Sequence, residues 1–215
     1  LIAPAALGAA QIEDASNFFD RIEARAKRFN ETTVHRGTQF VLGTTKVGLR
    51  SIQRVVGVGA AYPALRALGQ CPEITERVAQ LLGDSRLVQI INQAHFKHPG
   101  DGVRFDWHQD SLHRRHGTSE WQDINGTGSF IEVVTAVDPM TIDNGPIRVI
   151  PGSHLQGHIV TMGAQRNLPP GSFNEEDAIP ILLNPGDALF MGPYLIHGSE
   201  ANGSQRSRRA FLNGF

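Results

Sequence analysis

Phe130-Ile131-Glu132-Val133-Val134-Thr135-Ala136-Val137 runs into Asp138-Pro139, and Asp143-Asn144-Gly145-Pro146 leads into Ile147-Arg148-Val149-Ile150. The outer runs are rich in β-branched residues, which fit a pleated surface. The middle is made of turn formers, each of which favours a bend for its own reason. The stretch therefore reads strand, turn, strand. Working outward, the same texture recurs at 87–96, 179–183, 188–191 and 208–215, with Asn184-Pro185-Gly186-Asp187 as another turn. Short strands broken by glycine and proline predict a mainly β fold, an antiparallel barrel or jelly roll.

Before residue 87 the texture differs. Residues 14–29 read as a helix, with Phe18, Phe19, Ile22 and Ala26 on one stripe and charged residues elsewhere. Pro63 and Pro72 suit first helical positions, so 62–82 reads as two short helices ending near Gly83. Residues 37–56 are ambiguous, with Phe40-Val41-Leu42 as a short strand. The expectation is one domain over 1–215: a double-stranded β-helix (jelly roll) core at 87–215, and a helical or irregular part at 1–86 packed outside it. Repeats, linkers and low-complexity tracts are absent from the sequence.

The chain has 40% apolar residues and a net charge of −1. That balance gives no electrostatic footprint for nucleic acid or an anionic membrane. No apolar run is long enough to span a bilayer. Cys71 is the single cysteine, which excludes an internal disulfide and suits a reducing compartment. A cytoplasmic protein acting on a small molecule is expected, with no nucleic-acid or membrane partner; oligomeric state is not readable. Leu1-Ile2-Ala3-Pro4 lacks methionine and a basic segment, so trimmed termini and a missing targeting sequence are expected too.

The chemistry is carried by His108-Gln109-Asp110, with His197 far downstream. Two imidazoles and one carboxylate suit a metal that must keep exchangeable positions, as in a facial triad around Fe(II). Spaced two apart on an extended strand end, His108 and Asp110 leave from the same face, with Gln109 pointing away or across the entrance. Phe105-Asp106-Trp107 supplies apolar walls. Around this motif stand Asp143-Asn144-Gly145-Pro146, Pro151-Gly152-Ser153-His154, Pro185-Gly186-Asp187, His197-Gly198-Ser199, Asn202, Ser204, Arg208 and Arg209.

In that order and over residues 87–215, the set resembles the phytanoyl-CoA dioxygenase family of iron- and 2-oxoglutarate-dependent oxygenases. The resemblance implies that His108, Asp110 and His197 are both the metal ligands and the catalytic centre. It implies Fe(II), 2-oxoglutarate and O₂ as cofactor and co-substrates, with succinate and CO₂ released. Arg208 is implied as the anchor of the distal co-substrate carboxylate, a role that suits a planar, always-charged fork. Gln93 and Ser111 are further co-substrate candidates, with His95 and Lys97 on the same strand face as Gln93. Related halogenating enzymes lack the carboxylate, so Asp110 points to hydroxylation of an unactivated carbon or another oxygenase outcome.

The remaining expectations concern neighbouring residues. Arg206 and Arg209 read as solvated charge. His154 reads as a hydrogen-bonded loop residue and His158 as surface, while His35 and His98 carry no functional reading. The polar stretch 111–128 follows Asp110 directly and reads as a loop at the site mouth. Its substrate candidates are His113, Arg114, Arg115 and Trp121. Two alternatives stay open: a cupin-like metal protein or zinc enzyme without 2-oxoglutarate turnover, and an inactive binding domain.

Overall fold

The computed structural model describes residues 1–45, 47–113, 116–119, 121, 130–161 and 168–215. In chain order its strands and α-helices are β1 (Ile2–Ala3), α1 (Ala9–Ala26), β2 (Thr33–His35), β3 (Thr38–Thr44), β4 (Arg50–Val56), α2 (Val58–Ala61), α3 (Pro63–Gly69), α4 (Pro72–Leu82) and β5 (Ile91–Lys97). There follow β6 (Phe105–His108), β7 (Glu132–Ala136), β8 (Ile147–Val149), β9 (Ile179–Ile181), β10 (Ala188–Met191), β11 (His197–Ser199) and β12 (Arg208–Gly214). Among the described residues these strands form an eight-stranded sheet, β1-β10-β7-β12-β5-β4-β3-β2, and a four-stranded sheet, β6-β11-β8-β9. All the recorded strand pairings are antiparallel. This is the expected mainly β, jelly-roll arrangement.

Strand alternation decides what each face meets. On β7 and β12, Val134, Ala136, Ala210 and Leu212 point toward the small sheet and join Ile147, Val149 and Ile181. Their neighbours Val133 and Phe211 point the other way, toward the helices. There Phe19 and Ile22 of α1 pack on Phe40, Val55, Ala94 and Phe96. Ile74 and Val78 of α4 pack on Val133 and Phe190. Fully burying side chains of this size stabilises the fold by roughly 1.5–3 kcal/mol each. The helices thus seal one face of the large sheet, leaving the other to enclose a site.

The N-terminal 86 residues differ from expectation. They are not only helical: β1, β2, β3 and β4 extend the large sheet beyond its C-terminal strands. Arg36 and Gly37, with φ of 52° and 73°, form a two-residue connection between β2 and β3, where His35 pairs with Thr38. Two left-handed residues match the twist of a tight hairpin. Helix α1 also starts earlier than Asp14 and ends before Phe29. The Gln11 side chain accepts from the Gly8 amide at 2.8 Å, closing the first turn, and Phe29 instead packs edge-on against Phe40 at 5.1 Å. Pro63 and Pro72 stand at first helical positions, and Gly83, at φ 70°, ends α4 as expected.

Candidate metal and co-substrate site

Antiparallel pairing of β6 with β11 sets His108 directly opposite His197, their ring centroids 4.2 Å apart. Asp110 stands just past β6, opening a 3₁₀ turn over Asp110–His113. The extended geometry expected for His108-Gln109-Asp110 therefore breaks after His108, and the turn brings the carboxylate back under the rings. Its Oδ1 lies 3.8 Å from His108 Nε2, and its Oδ2 3.8 Å from His197 Nε2. One donor atom from each residue lies within 4.8 Å of the others.

Both rings are held in the tautomer that ligation needs. The Nδ1–H of His108 donates to the Asp106 carbonyl at 2.7 Å, and that of His197 to the Leu195 carbonyl at 3.0 Å. Each Nε2 lone pair then faces the shared space, as outer hydrogen bonds arrange in metal sites. Burial, with His197 beside it, pushes the His108 pKa down to about 4, so the ring is neutral at pH 7. Asp110 Oδ2 is buried without a hydrogen-bond partner. An orphaned carboxylate oxygen is costly unless a cation completes it. The donor set fits a divalent metal such as Fe(II).

Gln109 points away, as one of the two readings had it. It is fully buried, donates to the Gly157 and Tyr194 carbonyls, and accepts from the Ile159 amide. That one side chain ties the ligand segment to two others. Ser153 Oγ likewise accepts from the Ile196 amide at 2.9 Å, fixing the approach to His197. His154 beside it is exposed, so the bonding role expected of it belongs to Ser153.

Arg208 opens β12 and is 4% exposed. It lines the same cavity, of about 470 Å³, as His108, Asp110 and His197. Its Nη2 donates to the Gly145 carbonyl at 2.6 Å, while Nε is buried without a partner. Burial pushes its pKa down to about 10, which still leaves a cation at neutral pH. The Gly145 carbonyl is presented by a left-handed turn of φ 70°, and a Cβ there would collide with the Glu200 carbonyl. Asn202 donates to the Lys97 and Arg206 carbonyls and accepts from Ser204, bracing the loop that delivers Arg208. Lys97, paired with Arg208 across β5 and β12, donates to Gly145, Ser199 and Glu200 oxygens. Burial and the neighbouring guanidinium push its pKa down to about 7.

The other expected site residues divide. Gln93, His95 and His113 line the cavity, and His113 stands edge-on to His108 at 5.5 Å. Ser111 does not reach it: its hydroxyl is bonded to His158 Nδ1 at 2.9 Å and its amide to the Pro193 carbonyl. His158 is accordingly no free surface residue, and its ring stacks on His116 at 3.6 Å. Trp121 packs against His116, Phe130 and Tyr194 and is not among the cavity residues. Arg114 and Arg115, and most of the expected loop at 111–128, lie outside the described residues. Arg209 is not solvated charge. It forms two hydrogen bonds of 2.8 Å with Asp138 and reaches Asp20 and Ser16 of α1. Neighbouring strand positions so send Arg208 to the site and Arg209 to the helix layer. Three polar cavity residues escaped the sequence reading: Gln39, Arg54 and Glu132.

The family model described as Phytanoyl-CoA dioxygenase (PhyH) matches residues 1–210. The dioxygenase andF of Emericella variicolor is 36% identical over 113 residues, which cover 50% of this chain and 35% of that protein. The L-proline trans-4-hydroxylase of Streptomyces griseoviridis is 26% identical over 182 residues, covering 69% and 66%. The aligned part thus spans a third to two thirds of these curated relatives. Among solved structures, the epimerase SnoN in complex with Fe3+, alpha-ketoglutarate and nogalamycin RO aligns with a TM-score of 0.73 at 17% identity, covering 100% of this chain and 77% of SnoN. Among the described residues, no helix is long and apolar enough to cross a membrane.

Proposed function

The chain belongs to the phytanoyl-CoA dioxygenase family, and from that premise we propose that it is an Fe(II)- and 2-oxoglutarate-dependent dioxygenase that hydroxylates a small molecule. One observation carries the reading. The three converging donors of His108, Asp110 and His197 share one cavity with the buried, half-satisfied guanidinium of Arg208. A metal site alone needs no buried cation beside it. A co-substrate with a chelating end and a carboxylate end needs both.

The balanced reaction is R–H plus O₂ plus 2-oxoglutarate giving R–OH, succinate and CO₂. Bound Fe(II) would supply O₂ activation coupled to the decarboxylation. The protein's share is placement. His108 and His197 keep their protons on Nδ1, against backbone carbonyls, throughout. Asp110 supplies the anionic ligand. Arg208 grips the distal carboxylate with a charge-assisted bond and fixes the distance from that end to the metal. Met191, Val134, Ile147 and Leu212 give the cavity an apolar side that suits the co-substrate methylenes.

The test is succinate formation from 2-oxoglutarate with Fe(II), O₂ and ascorbate. Release above the metal-free control supports the reading. The absence of release, with metal bound to all three ligands, contradicts it.

A further inference from the structure

Lys97 is a buried cation to which the chemistry above gives no task. It ends β5, is 1% exposed and is not among the cavity residues, so its charge is turned toward the protein itself. An ammonium has three donors, and leaving them bare in the interior would be costly. All three are taken. Lys97 Nζ donates to Ser199 Oγ at 2.7 Å, to the Gly145 carbonyl at 3.2 Å and to the Glu200 carbonyl. The Phe105 ring lies 5.6 Å from the same nitrogen. Asp101 and Glu200 are the anions near enough to favour its charge.

These partners flank or form the small sheet. Ser199 ends β11, on the same short strand as His197, and Glu200 follows it. Phe105 opens β6, the strand that His108 ends. Gly145 stands in the turn that leads into β8. Lys97 itself belongs to the large sheet, where register sets it opposite Arg208. Arg208 Nη2 donates to the Gly145 carbonyl as well, at 2.6 Å. Two cations on neighbouring strands therefore converge on one oxygen. An unbroken path of contacts runs from the His197 strand through Ser199, Lys97 and Gly145 to the Arg208 guanidinium.

Resting on the oxygenase reading, we propose that Lys97 is a positioning residue, a strap between the two sheets that fixes the span from the ligand strand β11 to Arg208 and so selects the length of the 2-oxo diacid the site accepts. Arg208 supplies the grip, and Lys97 sets the distance at which that grip is offered. A change of one methylene then matters, because a guanidinium held in place does not follow a carboxylate that falls short of it or overruns it.

The experiment is calorimetric titration of the full chain loaded with Zn(II), comparing the unaltered protein with Lys97→Met and Ser199→Ala, with thermal melting used to check folding. The probes are 2-oxoglutarate, 2-oxoadipate, which is one methylene longer, and 2-oxobutanoate, which chelates a metal but has no distal carboxylate. Lys97→Met should weaken 2-oxoglutarate about tenfold, the scale of a lost hydrogen bond to a charged group, while Zn(II) and 2-oxobutanoate stay within about twofold. The preference for 2-oxoglutarate over 2-oxoadipate should shrink with it. Ser199→Ala removes one strap bond and keeps the ammonium. It should move the same ratios in the same direction by less, and it alone decides if Lys97→Met does not fold. A general structural role would weaken all three probes alike. That result, or unchanged ratios in the folded variants, would overturn the proposal. Failure of the oxygenase reading shows separately, because 2-oxoglutarate would then not bind to the unaltered, metal-loaded protein.

Discussion

The small sheet and the large sheet hold the same cavity by different means. β6, β8, β9 and β11 have three or four residues each. β3, β4, β5 and β12 have seven each. The large sheet gets its precision from long register and an apolar face sealed by the helices. The small sheet is too short for that, and fixes its ligands with side-chain locks: Gln109 across three backbone groups, Ser153 on Ile196, and the two Nδ1–H bonds. Its ligands converge on a buried, uncompensated carboxylate oxygen. The comparison teaches that a metal held by His108, Asp110 and His197 would tie the small sheet together, whereas the large sheet is braced by its own register and core.

Arg208 and Arg209 give the largest effects that bear on this. Arg208→Ala should raise the 2-oxoglutarate KM by an amount equivalent to about 2–5 kcal/mol, with metal affinity kept, since one partner of a buried charged pair is removed. Arg209→Ala should leave that KM within about twofold and cost about 3 kcal/mol of stability in denaturant unfolding, because it breaks a largely buried pair with Asp138. Equal KM effects from the two would erase the distinction between the cavity face and the helix face of β12.

Next in size is the response to metal. Zn(II) at a hundredfold excess over its Kd should stabilise the fold by about 2.7 kcal/mol. In hydrogen exchange the protection gained should fall on β6, β8 and β11 and not on β3 and β4. Uniform protection across both sheets would remove the contrast.

The smallest effect is acid sensitivity within the large sheet. His95 is held at about 3 when folded, below its ordinary value near 6.5. The unfolded chain binds the extra proton between those values, so stability is complete above about pH 6.5 and is lost as pH falls through the window. The loss is at most about 1.4 kcal/mol per pH unit. Urea titrations of the metal-free protein between pH 7.5 and 5 should show it, and His95→Gln should reduce the slope, leaving the part due to His108, which is held at about 4.

What could be read beforehand divides along the same line. The C-terminal strands were legible because Asp138-Pro139, Asn144-Gly145-Pro146 and Pro185-Gly186 punctuate them, and turn chemistry is local. His108, Asp110 and His197 were legible because few residue types can ligate. The conformation between His108 and Asp110 was not, since the turn there depends on Pro193 and Gln109 contacts distant in sequence. β2 and β4 were missed because their cavity-facing or exposed positions are polar, which blurs the apolar alternation; the Arg36-Gly37 connection was the available signal. Arg54 became visible only with the sheet order, and Arg209 only once α1 was docked beside it.

The most direct test of the account is a calorimetric titration under anaerobic conditions, first with Fe(II) and then with 2-oxoglutarate, on the unaltered chain, Asp110→Ala and Arg208→Ala. The account predicts one Fe(II) per chain, 2-oxoglutarate binding only after the metal, loss of both in Asp110→Ala, and loss of the second alone in Arg208→Ala. Binding of 2-oxoglutarate without metal, or unchanged binding in Arg208→Ala, would contradict it.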